Sequence, residues 1–464
     1  MADRAAGAVS QRKKIWGWMF FDWASQPYNT LLLTFIFGPY FAAVVTDYFV
    51  AAGMAEEAAD ARAQSIWSLG LTVTGLAIAF SAPVLGALAD LSGRRMPYIW
   101  FFSVLYVLGS FALWWTYPDG SNFWWMLIAF GIGFIGMEFA TIFTNSLLPD
   151  LGDENEVGKI SGSGFAFGYW GGVLGLFIML LLFAENDSGK TLIGLDPLFG
   201  LDAEQRQGTR FVGPFSALWY VLFMAIFFRW VREKPRQPGA TTARVRAAIE
   251  ELLATLKSLP GRKSLSAYLG SSLFYRDALN GLYGFGGVYA TLVLNWSITL
   301  VGVFGIIGAI SAAFFSWVGG MFDRKYGPKP VIVFCILVLI GVCMVIVGMS
   351  RDSFFGIALA EGSRLPDIVF FICGGVIGAA GGALQASSRS LMVRHADEGK
   401  ATEAFGLYAL SGKATAFLAP ALIGFATWLT ESPRLGISPL VALFVLGLVL
   451  LLWVNPRGVM AEEG

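Results

Sequence analysis

A single histidine and three cysteines among 464 residues leave little for metal or nucleophile chemistry. Cys335, Cys343 and Cys373 all fall inside apolar runs, at no spacing that suits a thiolate metal site or a disulfide framework. They read as small polarizable core residues. His395 falls in the loop after the tenth apolar run, so neither a buried histidine relay nor a multi-histidine metal site is expected, and no cofactor is called for. Charge is scarce too, at 14% of residues, where an ordinary soluble domain carries about 25%. The two signs cancel, so net charge says nothing about partners; no nucleic-acid partner is expected.

Apolar residues make up 56% of the chain and are gathered in runs of about 20 or more, enough to cross a hydrocarbon core of about 30 Å. Twelve spans are expected, at 15–45, 65–89, 96–117, 123–147, 160–183, 213–232, 264–294, 298–322, 329–350, 366–390, 403–429 and 436–454. The longest stretch outside them, Glu233 to Lys263, has 31 residues, too few for a catalytic domain of ordinary size. The reading is an all-α integral membrane protein, and a soluble enzyme is excluded. The first run follows Arg12-Lys13-Lys14 and continues too long for a cleaved signal-peptide core.

Lysine and arginine set the orientation. With both termini cytoplasmic, 22 of the 32 fall on the cytoplasmic side, seven on the other, and Arg276, Arg389 and Lys413 within spans. In the linker between spans 6 and 7, Val245, Ile249, Leu252, Leu256 and Leu259 share one helical face, with Arg244, Arg246, Glu250, Glu251 and Lys257 opposite. This reads as an amphipathic helix on the membrane surface that ties two halves together.

Those halves echo one another at an offset of about 240 residues. Asp22 and Tyr28 in span 1 match Asp277 and Tyr283 in span 7. Gly86-Ala87-Leu88-Ala89-Asp90-Leu91-Ser92-Gly93-Arg94-Arg95 matches Gly319-Gly320-Met321-Phe322-Asp323-Arg324-Lys325-Tyr326-Gly327-Pro328-Lys329, and Asn145-Ser146 matches Arg389-Ser390. Three echoes in one order indicate a six-plus-six duplication: residues 1–232, a linker 233–263, and residues 264–464.

The paired loop motif, with Gly86, Asp90, Gly93 and Arg94 in one copy and Asp323, Arg324 and Gly327 in the other, resembles the loop signature of the major facilitator superfamily. Its glycines permit a tight turn, and its aspartates can accept from helix N-termini or pair with a base to latch the cytoplasmic side. The stretches Phe21-Asp22-Trp23-Ala24, Thr34-Phe35-Ile36-Phe37-Gly38-Pro39-Tyr40-Phe41, Gly162-x-Gly164-x3-Gly168-Tyr169-x-Gly171-Gly172, Gly381 to Leu391 and Phe405 to Lys413 are similar to the vacuole-effluxer-like branch of that superfamily. The resemblance runs from span 1 to span 11. It implies twelve helices in two pseudo-symmetric halves, spans 1, 4, 7 and 10 around a central cavity, and an amino-acid-like substrate. Two departures stand out: Ser25-Gln26 where relatives carry Asn-Ser, and Arg276 where they carry Asn.

A charge at the bilayer centre costs about 2.5–3.5 kcal/mol even on insertion scales, so each one in a span needs a reason. Asp22, Ser25, Gln26 and Asn29 form one stripe on span 1, and Pro27 within it frees a backbone carbonyl one turn earlier. Glu138, Thr141 and Asn145 stripe span 4; Arg276, Asp277, Asn280 and Gly284 lie on span 7; Gln385 and Arg389 lie on span 10, and Lys413 on span 11. Tyr28 and Tyr283 are expected on the cavity face. These charges could neutralise one another between helices, Asp22 with Lys413 or Arg389, and Arg389 could snorkel to the surface. The alternative assigns the cations to a substrate carboxylate and Asp22 to a substrate ammonium, with Asp277, then Glu138, then Asp22 as proton carriers.

A nucleotide-driven pump is excluded, because Ala184 replaces the first glycine that a phosphate loop ending in Gly189-Lys190-Thr191 would need. An intramembrane enzyme would need a nucleophile–base pair or a metal cluster in the spans, and with no histidine there only a carboxylate pair remains. A lipid or amphiphile flippase on the same fold and a non-transporting sensor stay open as alternatives. The expectation is a monomeric secondary carrier in the bilayer, exchanging a small zwitterionic solute and protons by alternating access.

Overall fold

Helices follow the apolar runs closely. The computed structural model describes residues 9–186, 188–233, 245–296, 298–413, 417–430 and 432–458. Its helices are α1 Gln11–Pro27, α2 Phe37–Ala51, α3 Glu56–Ser92, α4 Met96–Ala112, α5 Phe123–Asn145, α6 Glu154–Leu182, α7 Gln207–Arg210, α8 Val212–Trp230 and α9 Val245–Ser258. They continue as α10 Lys263–Leu292, α11 Ile298–Tyr326, α12 Pro328–Gly348, α13 Leu365–His395, α14 Ala401–Lys413, α15 Leu418–Thr430, α16 Pro433–Gly436 and α17 Ser438–Leu451. Among the described residues, eleven stretches are long and apolar enough to cross a bilayer. The seventh expected span, α10, has the length at 30 residues but is not one of the eleven. Ser264, Ser266, Ser271, Ser272, Arg276, Asp277 and Asn280 dilute its apolar content.

The chain clusters into two compact units. The first comprises residues 1–78, 94–144 and 167–238. Here the first span is a bent composite of α1, a π-helical segment Tyr28–Phe35, and α2. The cause is Pro27. It has no N–H to give the Trp23 carbonyl four residues back, and the Trp219 indole on α8 donates there instead, at 3.1 Å. Glycines let α4 and α5 approach closely, since a Cβ on Gly136 would collide with the Tyr106 backbone. On α8, Ala217, Tyr220, Met224 and Phe227 are buried while Leu218, Val221 and Leu222 are exposed, an outward apolar face suited to lipid.

The second unit comprises residues 79–93, 145–166 and 239–464. The end of α3 crosses α14 through paired glycines: a Cβ on Gly86 would meet the Thr402 carbonyl, and one on Gly406 the Ala82 carbonyl, each at 2.7 Å. Gly162 packs likewise on Gly320 of α11. In the linker helix α9, Ala248 and Leu252 are buried, whereas Ile249 and Leu256, expected on the apolar face, are exposed. Between α12 and α13 a small hairpin pairs β1 Ser353–Phe354 with β2 Ile357–Ala358. Its turn residues Phe355 and Gly356 both have positive φ. The loop after α6 pairs Lys190 with Asp196 at 2.6 Å, and no helix follows Gly189-Lys190-Thr191 as a phosphate loop would require.

Candidate functional site

In the first unit the polar stripe of α1 rests on the glycine row of α6. A Cβ on Gly168 would lie 3.0 Å from the Asp22 carbonyl and 3.1 Å from its Cβ, and one on Gly172 would lie 2.8 Å from Cγ of Gln26. Asp22, Gln26 and Asn29 are half-buried. The Asn29 amide points at Met137 of α5, 4.0 Å from its sulfur, beside half-buried Glu138. Tyr28 behaves otherwise. Expected on the cavity face, it is 0% exposed, donates its hydroxyl to the Phe130 carbonyl and packs among Tyr106, Phe130 and Phe134. It is a core residue because six α-helical steps of about 100° each carry it about 120° round the helix from Asp22, off the stripe.

The second unit gathers more of the expected residues. Arg276 lies flat on Gly412 of α14: a Cβ there would be 2.5 Å from Cζ of the guanidinium. Its Nη1 donates to the Tyr408 carbonyl at 2.8 Å, and Cζ sits 4.0 Å from the centre of the Tyr408 ring. The next residue, Asp277, is 1% exposed and accepts from the Ala419 amide at 2.8 Å through Oδ2. Ala419 is in the first turn of α15, so the carboxylate caps that helix end. The other oxygen, Oδ1, is buried without a hydrogen-bond partner among the described residues. Asn280 and Tyr283 are exposed further along α10, the Tyr283 hydroxyl packs against Gly381 of α13, and Gln385 donates to the Gly381 carbonyl at 3.4 Å. Lys413 is half-buried at the end of α14.

Arg389 does not snorkel. It is 2% exposed, donates from Nε to the Ser161 hydroxyl (2.9 Å), from Nη2 to the Ser161 carbonyl (2.7 Å) and from Nη1 to Asn145 (3.1 Å), and stacks 4.1 Å over Phe165. Two residues that echo one another in the sequence, Asn145 and Arg389, thus bond directly. His395, expected in a loop, is the last residue of α13 and is buried, stacked on Tyr268 with one ring nitrogen 2.7 Å from the Ser264 hydroxyl. The helix runs five residues past its expected end and takes the histidine with it.

The two loop motifs are built alike and used differently. Gly93 (φ 60°) and Gly327 (φ 84°) turn the chain after α3 and α11, each N–H returning to the aspartate carbonyl of its motif, at 3.0 and 2.7 Å. Arg94 and Arg324 are exposed. Asp90 accepts from the Thr402 and Glu403 amides in the first turn of α14, at 3.3 and 2.7 Å. Asp323 is wholly buried against Gly158 of α6, with the Ser390 hydroxyl 3.3 Å from Oδ1.

Sequence reasoning missed Ser161, Gly158, Gly412 and a tyrosine–serine network in α10 and α13. There Tyr268 donates to the Ser388 carbonyl, and the Tyr275 and Ser388 hydroxyls are 2.8 Å apart. Gly412 and Ser388 stood inside sequence motifs; Ser161, Gly158, Tyr268 and Tyr275 depend on distant partners and leave no local pattern.

A family model described as vacuole effluxer Atg22 like matches residues 10–463. The chain is 24% identical over 445 residues to the MFS-type transporter YxiO of Bacillus subtilis, which covers 94% of each protein. It is 26% identical over 325 residues to autophagy-related protein 22-1 of Aspergillus clavatus, covering 66% of this chain and 50% of that protein. It therefore spans about half the length of the fungal relatives it matches. Among solved structures, the proton:xylose symporter XylE superposes with a TM-score of 0.70 at 14% identity, covering 98% of this chain and 99% of that one. The human organic anion transporter MFSD10 gives 0.69 at 16% identity, with 95% and 99% covered. At such identities the likeness is one of fold, the all-helical major facilitator architecture.

Proposed function

The chain belongs to the Atg22-like vacuole effluxer family, and from that premise we propose that it carries an amino acid or similar small zwitterion, coupled to protons. It is a multi-pass membrane protein and a secondary transporter of the major facilitator superfamily, not an enzyme. In this reading its two halves, 1–232 and 264–464, alternate access around the linker 233–263, with both termini cytoplasmic. The Asp90 and Asp323 motifs latch the cytoplasmic side.

The observation that carries the substrate class is the adjacent pair on α10. Arg276 is fixed by Tyr408 and Gly412 and, among the described residues, commits only Nη1 to a carbonyl, which leaves guanidinium N–H groups to grip a carboxylate. Asp277 holds α15 with one oxygen and presents the other, without a partner among the described residues, as an acceptor for a coupling proton. Asn280, Tyr283 and Gln385 add neutral donors and acceptors nearby on α10 and α13. Asp22, Gln26, Asn29 and Glu138 supply the ammonium side, with Glu138 and Asp22 as reserve proton sites; Asn145, Arg389 and Lys413 complete the polar set. One proton suffices energetically. About 100 mV contributes roughly 2.3 kcal/mol and one pH unit about 1.4, enough for a several-hundred-fold gradient.

Binding is tested by thermal unfolding of the purified protein against a panel of free amino acids. A true substrate at about 100 times its Kd stabilises by about 2.7 kcal/mol. Arg276→Gln is expected to abolish that shift and Arg276→Lys to weaken it. A shift that survives both substitutions contradicts the assignment, as does a panel in which no amino acid stabilises the wild type.

A further inference from the structure

We propose that Asp323 is a proton-binding site distinct from Asp277, and that it carries its proton while its side chain is packed on Gly158. The two loop motifs place homologous aspartates in opposite surroundings. Asp90 is half-buried and its carboxylate is used as a charge, accepting two helix N-terminal amides. Asp323 is 0% exposed, accepts from the Ser390 hydroxyl at 3.3 Å on Oδ1, and buries Oδ2 without a hydrogen-bond partner among the described residues.

The charges around it do not compensate. From α13, Ser387 lies beside the carboxyl, and Arg394 acts on it from a distance while an Nη of Arg394 donates to the Pro456 carbonyl at 3.1 Å. On its own helix Arg324 is exposed and turns to Glu156 of α6, 3.4 Å away. Lys159 of α6 is exposed, Lys325 lies over the Tyr326 ring, and the Lys329 ammonium of α12 donates to the Val454 carbonyl at 2.7 Å. An ionised carboxylate left buried with an unsatisfied oxygen is costly, and it neutralises by taking up a proton. A proton on Oδ2 removes the charge and turns the orphaned acceptor into a hydroxyl.

Gly158 makes the arrangement possible, because a Cβ there would occupy the place of the Asp323 carboxyl. When the start of α6 withdraws, water reaches Oδ2 and the proton leaves. Packing and protonation are then one event, and one copy of the duplicated motif works as a fixed cap while the other titrates. The functional consequence, a proton released as the latch opens, rests on the transporter reading; the protonation itself does not.

The test is pH-difference infrared spectroscopy of the purified protein in lipid nanodiscs, read at the C=O stretch of protonated carboxyl groups. Asp277→Asn is expected to retain one titrating carboxyl band, which disappears in Asp277→Asn/Asp323→Asn and shifts in Asp277→Asn/Asp323→Glu. Asp90→Asn leaves it in place. Because the neutral Asn mimics the protonated form, Asp323→Asn is expected to fold with unchanged thermal stability. Should it not fold, Gly158→Ala in the Asp277→Asn background serves instead, expelling the carboxyl into water so that the band is lost with Asp323 still present. A band unaffected by Asp323→Asn, a band unaffected by Gly158→Ala, or no band in Asp277→Asn overturns the proposal. No substrate is involved, so a failed transport assay leaves this result standing.

Discussion

The Arg276 guanidinium lies against Gly412 with its Cζ 4.0 Å from the Tyr408 ring centre, in a space that exists only because residue 412 has no side chain. Gly412→Ala would put a Cβ 2.5 to 2.6 Å from three guanidinium atoms and push the cation off the ring. Removing a cation–π contact and a charge-assisted hydrogen bond costs about 2–4 kcal/mol at that spot. The expected outcome is a loss of substrate binding as complete as in Arg276→Gln, read from the ligand-induced thermal shift. Gly424→Ala is the control: nothing lies within 4 Å of its Cβ, and a glycine-to-alanine change in a helix stabilises by about 0.5–1 kcal/mol. If both substitutions leave binding unchanged, Arg276 is not held as described. The residue scale was half legible. A charge in a span announces itself, so Arg276, Asp277 and Arg389 were found; what each touches depends on residues such as Tyr408 and Ser161, far away in the chain. Tyr28 shows the converse, a residue assigned to a stripe from which regular helix geometry turns it by about 120°.

Helix α1 ends at Pro27 and the chain continues as a π-helical segment, with the Trp23 carbonyl passed to the Trp219 indole. In apolar surroundings a carbonyl without a donor costs about 1–3 kcal/mol. Trp219→Phe is therefore expected to destabilise by at least that much. In a Pro27→Ala background, where the backbone N–H returns, the same change costs less. A double-mutant cycle on denaturation midpoints measures the difference, expected at about 1–2 kcal/mol. Additive effects of the two substitutions contradict the account. Proline and the freed carbonyl are readable from the sequence, because they follow from one residue's covalent structure. The recipient indole is not, nor is the β1–β2 hairpin, whose turn uses Phe355 at a positive φ where a glycine or asparagine would have signalled it. Span boundaries were legible because hydropathy marks them; α13 outran its expected end since Arg394 and His395 read as loop residues, although His395 is buried by helix partners.

At the scale of the molecule, the fold was legible because duplicated motifs and the vacuole-effluxer resemblance both point to the major facilitator architecture, and the match over residues 10–463 agrees. Substrate and coupling were not, since they depend on where a few side chains converge. If Asp90 caps α14 to hold the latch, Asp90→Ala removes an N-cap worth about 0.5–2 kcal/mol and shifts the closed-to-open balance by about two- to thirty-fold. A cysteine introduced at buried Ala87 reports this: its alkylation rate is expected to rise by the same factor, and an unchanged rate contradicts the latch role. The central claim is proton-coupled carriage of a small zwitterion, and transport by reconstituted vesicles tests it most directly. Vesicles loaded with mixed amino acids are placed under an imposed pH gradient, and mass spectrometry identifies what leaves, with Asp277→Asn alongside. Gradient-driven loss of particular amino acids by the wild type, reduced in Asp277→Asn to exchange that no longer follows the gradient, is the predicted result. Release of no amino acid by protein that is folded and correctly inserted would contradict the account and turn attention to amphiphiles and lipids.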